Sequence, residues 1–317
     1  MPRVPWAELP SQIQAWVAGV LGSEVTGAVT QEGGFSPGAA SRLELADGRR
    51  AFVKAVSAQA NPVSPGLHRQ EAVVTAALPA GVPAPRLLGQ YDDGEWVALL
   101  LSDVAGRSPA QPWDEAELAQ VLDALARMHQ RCTPSPVAAL PTVAEYHASS
   151  LHGWRDLAGT GPAGAGAGEP GPAQLDDWSR RHLDRLASLE AQWPAAAAGH
   201  TLLHNDVRAD NVLLSGAEVI FVDWPHACTG AAWFDVAAFA PSVIMQGGPG
   251  LAWLLARTPS AASADPAAIT AVAAAVAGYF TRQALLPAPA GIPTVRRFQA
   301  DQGRHARAWL RERTGWN

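Results

Sequence analysis

Residues 201–224, TLLHNDVRADNVLLSGAEVIFVDW, set polar side chains at short, regular intervals. One residue separates His204 from Asp206, and Asn211 follows Asp206 by five. Two apolar runs, 212–214 and 219–222, are parted by Ser215-Gly216-Ala217 and read as a β-hairpin. Such a hairpin brings Asn211 and Asp223 close together at its open end. An amide and a carboxylate oxygen are hard ligands suited to Mg²⁺, which keeps part of its shell for phosphate and water. Asp206, on the loop just before the hairpin, is a carboxylate that can accept a hydroxyl proton. Phosphoryl transfer needs this set, because its catalysis is mostly positioning and charge neutralisation.

A second group centres on Lys54, the only lysine in a chain with 22 arginines. A lysine kept against that bias marks a place where a compact point charge serves and a planar fork does not. Lys54 ends the strand-like run Ala51-Phe52-Val53-Lys54, and Glu71 lies seventeen residues on, in a helical pattern. A strand lysine that meets the α- and β-phosphates, oriented by a helix glutamate, is the corresponding arrangement for a nucleotide. The turn Gly33-Gly34-Phe35-Ser36-Pro37-Gly38 offers backbone N–H groups near Gly34 and Ser36 to cover phosphates. Gly/Pro turns between strands are also ordinary connections.

These side chains need a scaffold, and the pattern is α+β. Ile13, Trp16, Val17, Val20 and Leu21 have helical spacing. Runs 25–30, 40–45 and 50–56 read as strands, with Asp47-Gly48 as a hairpin turn between the second and third. Residues 67–78 read as a helix stopped by Pro79. Runs 86–91 and 95–101 are two more strands around Asp92-Asp93-Gly94. The expectation is a five-stranded antiparallel sheet with one helix after its third strand, followed by a mainly helical remainder. There, Leu118, Val121, Leu122, Leu125 and Met128 form a stripe behind Asp114, an N-cap residue. Residues 158–173, rich in Gly, Ala and Pro, read as a mobile loop. Helices are expected through Leu175, Trp178, Leu186 and Leu189, over 269–280 and over 295–313.

Composition narrows the classes. Hydrophobic residues at 48% and charged residues at 16% describe a folded globular chain. A net charge of −6 argues against a nucleic-acid partner. Cys132 and Cys228 are too few for a disulfide framework or a zinc site and read as reduced thiols. Residues 1–22 do not read as a signal peptide, and the Ala-rich run 267–280 is too short to span a bilayer. The reading is a cytoplasmic protein with no membrane partner.

The sequence resembles the aminoglycoside phosphotransferase family of kinase-like enzymes, which also includes macrolide, choline and sugar kinases. The likeness is carried by His204-Asn205-Asp206-Val207-Arg208-Ala209-Asp210-Asn211, Val222-Asp223-Trp224, Gly230 and Phe234-Asp235-Val236-Ala237. Arg127-Met128-His129 is similar to a helix-ending element of the same family, and the likeness runs from about residue 32 to 240. It implies a bilobal fold: a nucleotide-binding lobe over 1–101, a hinge over 102–106 and a catalytic, substrate-binding helical lobe over 107–317. It implies Asp206 as base, Asn211 and Asp223 as Mg²⁺ ligands, and Lys54 with Glu71 at the phosphates of ATP, with GTP an alternative. The Ser102 carbonyl and Val104 amide would bind adenine, and His204 and Asp235 would tie down the catalytic loop. Pro37 in the glycine turn and Val236 depart from the family pattern.

Asp235 follows Asp223 by only twelve residues. That leaves no room for the long activation loop of protein kinases, so a protein substrate is not expected. The acceptor is expected to be a hydroxyl of a small molecule: an antibiotic such as an aminoglycoside, an amino sugar or a related metabolite. Asp176, Asp177 and Asp265 are the carboxylates available to meet ammonium groups. The competing reading is a catalytically inactive, nucleotide-binding regulator. The complete set of Lys54, Glu71, Asp206, Asn211 and Asp223 speaks against it.

Overall fold

The computed structural model describes residues 3–31, 38–161, 169–289 and 294–317. The chain forms two compact units. One comprises Met1–Ser108 and Ala209–Ala227, the other Pro109–Arg208 and Cys228–Asn317.

The first unit opens with helix α1 (Ser11–Leu21), then strands β1 (Val25–Thr30), β2 (Ala39–Leu45) and β3 (Arg50–Ser57), helix α2 (Ser64–Ala77), and strands β4 (Leu87–Asp92) and β5 (Trp96–Ser102). The five strands make one antiparallel sheet in the order β1-β2-β3-β5-β4. Both tight turns have the expected chemistry. Gly48 and Gly94 take left-handed φ values of 82° and 89°, and Asp47 and Asp92 accept the backbone N–H two residues on.

Alternation along β3 sets the two faces of the sheet. Ala51, Val53 and Ala55 pack with Ile13, Val17 and Leu21 of α1. Phe52 and Lys54 point the other way, toward the side where Ala72 of α2 packs on Leu99 and Leu101. Helix α2 starts three residues earlier than expected. Asn61 Oδ1 accepts the N–H groups of Val63 and Ser64 and anchors its N-terminus. It ends at Ala77 because Leu78, ahead of Pro79, is driven to extended backbone (ψ 129°).

The second unit is helical: α3 (Glu115–Arg131), α4 (Val143–Tyr146), α5 (Gly153–Leu157), α6 (Asp177–Arg181), α7 (Leu183–Glu190) and α8 (Trp193–Ala196). After these come strand β6 (Thr201–Leu203) and, within the first unit, the hairpin β7 (Val212–Ser215) and β8 (Glu218–Phe221). Strand β9 (Cys228–Gly230) pairs with β6. Helices α9 (Phe234–Met245), α10 (Leu251–Ala256), α11 (Pro259–Ala262), α12 (Pro266–Leu285) and α13 (Val295–Thr314) complete the unit. Asp114 caps α3 as expected, accepting from Ala116 and Glu117 N–H.

The single helix expected through Leu175–Leu189 is two. Residue His182, with ψ 14°, ends α6 and precedes α7. Its Nε2 donates to the Asn317 carbonyl, and its ring packs against Trp178 and Trp316, so tertiary contacts hold the break. Helix α12 runs past both expected ends, from a cap at Asp265 to Leu285. Of the expected mobile loop, residues 162–168 lie outside the described residues. No helix among the described residues is long and apolar enough to cross a membrane.

Candidate functional site

The first unit holds a cavity of about 340 Å³ whose lining includes Lys54, Glu71, Asn211, Asp223, Ser102 and Val104. Six residues singled out in the sequence therefore face one space, although 169 positions separate Lys54 from Asp223. Lys54 Nζ donates to Glu71 Oε1 and Oε2 at 2.8 and 2.9 Å and to Asp223 Oδ1 at 2.9 Å. An ammonium has three N–H donors, and here all three are used. Burial alone would lower the lysine's pKa, but the charges of Glu71 and Asp223 outweigh it and hold Lys54 above its ordinary value. Glu71 is also fixed by the backbone N–H of Trp224.

The hairpin delivers the other groups. Val222 N–H donates to the Asn211 carbonyl and closes the open end of β7–β8. Two further bonds fasten the hairpin within the unit: Phe221 N–H to the Pro83 carbonyl, and the mutual pair between Arg107 and Leu214. Asp223 then turns the chain with φ 70°, a left-handed value that Asp tolerates better than most residues. Asn211 is buried and Asp223 half-exposed, and both line the same cavity. No group of three or more His, Cys, Asp or Glu suited to a metal occurs among the described residues. Two hard oxygen donors lining one cavity fit a Mg²⁺ ion that would take its remaining ligands from phosphate and water.

At the other end of the cavity, Ser102 is pinned by Arg86: its N–H donates to the Arg86 carbonyl and its Oγ accepts from the Arg86 N–H. Asp103 makes a bidentate pair with Arg42 of β2, at 2.8 and 2.7 Å. The Val104 carbonyl accepts from Gly106 N–H. Gly34 and Ser36 of the glycine turn lie outside the described residues.

Sequence reasoning passed over His68. It is a buried residue of α2 that lines the cavity, and its Nδ1–H donates to the Ser64 carbonyl. Burial, and then the Lys54 charge, push its pKa down to about 4. Its imidazole is therefore neutral at pH 7. Between the ordinary value of 6.5 and about 4, the unfolded chain takes up a proton that the folded chain refuses. Stability is thus full above pH 6.5 and falls on acidification, by up to about 3 kcal/mol. Urea midpoints from pH 7 to 4.5 should drop more steeply for wild type than for His68→Gln. Parallel profiles would remove His68 as the source.

In the second unit, Asp206 sits on a loop fixed from beneath by a buried carboxylate. Asp235 Oδ2 accepts His204 N–H at 3.0 Å, and Oδ1 accepts Asn205 N–H at 2.8 Å. His129 Nε2–H, from the last turn of α3, donates to Oδ2 at 2.9 Å. Burial works to raise the Asp235 pKa, yet these donors and the His129 and His204 rings hold it below the usual carboxylate range. Asp206 N–H donates to His204 Nδ1 at 3.3 Å. Asn205 is left-handed at φ 62°, and its Oδ1 accepts from His147 Nε2–H. Arg208 Nε lies 3.7 Å from Asp206 Oδ1. The phenols of Tyr146 and Tyr279 lie within reach of the Asp206 charge. Tyr146 is raised to about 12, by burial first, and Tyr279 is raised by the same cause. No spacing in the sequence marked either tyrosine.

The carboxylates considered for cationic groups have other work. Asp176 caps α6 and pairs with Arg307 and Arg311. Asp177 pairs with Arg180, and Asp265 caps α12.

A sequence profile of the phosphotransferase enzyme family matches residues 33–285, beyond the range 32–240 recognised from the motifs. No curated protein matches the sequence significantly. Among solved structures, the aminoglycoside phosphotransferase of Alicyclobacillus acidocaldarius superposes with a TM-score of 0.60, at 15% identity over 92% of each chain. An amicoumacin kinase in complex with AMP-PNP and Ca²⁺ gives 0.55, at 11% identity over 94% of each chain. An aminoglycoside phosphotransferase of Streptomyces rimosus, in complex with ADP and streptomycin, gives 0.51, at 18% identity over 84% of this chain and 98% of that one. These likenesses establish a protein-kinase-like fold. With a family profile spanning most of its length and that fold beneath it, the chain belongs to the phosphotransferase enzyme family.

Proposed function

We propose that this phosphotransferase moves the γ-phosphate of ATP to a hydroxyl of a small molecule, with Asp206 as the base. The observation that carries the reading is the Lys54 ammonium, held by Glu71 and Asp223 in a cavity that Asn211 also lines. Adenine would sit toward Ser102 and Val104, hydrogen-bonded by the Ser102 carbonyl and the Val104 amide. The phosphates would lie toward Lys54. Asn211 and Asp223 would hold Mg²⁺, which when bound neutralises charge on the transferred phosphoryl group. Lys54 contributes a fixed point charge for the same purpose, already oriented by Glu71. Asp206, five residues before Asn211 in the chain, would align the acceptor hydroxyl and take its proton. The buried Asp235 supports that role by fixing the backbone of residues 204 and 205.

The acceptor is a hydroxylated small molecule, and its class can be narrowed by the groups near Asp206. Two largely buried tyrosines, Tyr146 and Tyr279, feel the Asp206 charge, and Arg208 lies 3.7 Å from it. This favours a partly apolar acceptor over a polycationic one, since Asp176, Asp177 and Asp265 are engaged elsewhere. The test is ADP release coupled to NADH oxidation, with MgATP and a panel of aminoglycosides, macrolides, amino sugars and choline-like alcohols. Release that depends on one class of acceptor is expected. Tight MgATP binding with no release from any acceptor would count against the transfer reading and for a nucleotide-binding regulator. Replacing ATP by GTP in the same assay decides the nucleotide.

A further inference from the structure

Besides Lys54 and the Arg42 that pairs with Asp103, the cavity proposed for the nucleotide has a further cation, Arg3. Arg3 lines it together with Lys54, His68 and Asp223, although Arg3 precedes every strand of the sheet. The segment carrying Arg3 is fastened. Val4 N–H donates to the Gly38 carbonyl at 3.1 Å, at the start of β2. The following turn Trp6–Glu8 packs on β1 and β2, and Leu9 is buried with Ile13, Ala39, Ala55 and Ala98. The backbone next to Arg3 is therefore tied to the strand that leaves the glycine turn.

Arg3 shares the cavity wall with Lys54, His68 and Asp223, the end proposed for the phosphates. Its guanidinium feels the Asp223 carboxylate and acts on the His68 ring, and both lie beside Lys54. The Ser102–Val104 end of the cavity carries a different ion pair, Arg42 with Asp103. A guanidinium is permanently charged and presents a planar fork that suits two phosphate oxygens at once. The three donors of Lys54 are already shared between Glu71 and Asp223. A polyphosphate entering the cavity would thus meet the Arg3 guanidinium as well as the Lys54 ammonium.

We infer that Arg3 is a phosphate-binding residue for the nucleotide, contacting the β- or γ-phosphate. This rests on the cavity's being the nucleotide site, and the experiment separates the two. Isothermal titration of the full chain uses adenosine, AMP, ADP and AMP-PNP, each with Mg²⁺, for wild type, Arg3→Gln and Arg3→Lys. Loss of one charge-assisted bond corresponds to about tenfold in affinity. Arg3→Gln should weaken AMP-PNP and ADP by about that factor and leave adenosine unchanged, with Arg3→Lys recovering part of the loss. Unfolding temperatures of the three proteins should agree, since Arg3 lies outside the buried core. Equal affinities for all four ligands in wild type and Arg3→Gln would overturn the assignment. So would a loss of the same size for adenosine, which would mark a structural role. If wild type binds none of the four, the nucleotide reading of the cavity itself fails, and the role of Arg3 falls with it.

Discussion

Asp206→Asn should bind MgATP with near wild-type affinity and lose phosphoryl transfer by about 10³-fold, the middle of the range for removing a general base. The substitution keeps the size and one oxygen of the side chain, so the loop need not move. That loop is held by other groups: Asp235 accepts the N–H donors of residues 204 and 205, and His129 completes the buried cluster. None of these bonds uses the Asp206 side chain. The cavity proposed for the nucleotide, for its part, does not count Asp206 among its described lining residues. Affinity and turnover should therefore separate, with affinity read by titration and turnover by coupled ADP release. A collapse of nucleotide affinity in this variant would assign Asp206 to binding. Turnover within a few-fold of wild type would remove it as the base.

The second large effect belongs to Lys54. Lys54→Arg should lower kcat/KM for ATP by about 10²-fold, because a longer, planar guanidinium cannot reproduce three converging bonds from one nitrogen. Lys54→Met goes further and tests stability. It leaves the Glu71 carboxylate, only 2% exposed, without its cation. Breaking a buried pair from one side costs about 3–5 kcal/mol. Adding Glu71→Gln to Lys54→Met removes the stranded charge and should restore part of the lost stability without restoring activity. Chemical denaturation and steady-state kinetics on wild type, Lys54→Met, Glu71→Gln and the double variant complete the cycle. Near-normal kcat/KM in Lys54→Arg would take the lysine out of the phosphate site. Unchanged stability in Lys54→Met would mean that Glu71 is not bound to Lys54 as described.

Much of the site was legible because its parts are local in the chain. His204 to Asp223 form one loop and one hairpin, and a two-strand hairpin fixes which residues meet at its ends. The five strands were legible through alternation and Asp-Gly turns, and the faces of β3 follow from the same period of two. Lys54 opposes Leu99 across β3 and β5, and Leu99 packs toward α2, so the lysine's direction was implied once the strands were paired. The partition of the expected lobes is a separate matter. The hairpin of residues 212–221 groups with the sheet, through bonds to Pro83 and Arg107 that no local pattern encodes.

What sequence alone determined was an α+β chain and the inventory of candidate site residues, Asp206, Asn211, Asp223, Lys54 and Glu71, by type and interval. Spacing and residue chemistry suffice there because each group must be a particular functional group at a particular step from the next. Only tertiary structure decided how those groups are spent. It used all three donors of Lys54 on Glu71 and Asp223, drew Arg3 and His68 into the cavity, and committed Asp176 and Asp265 to helix caps. It also broke the helix at His182 to meet Asn317. These outcomes depend on distances between residues far apart in the chain, and on burial. An exposed carboxylate and one that caps a helix beside two arginines look the same in one dimension, because only packing sets the field around them.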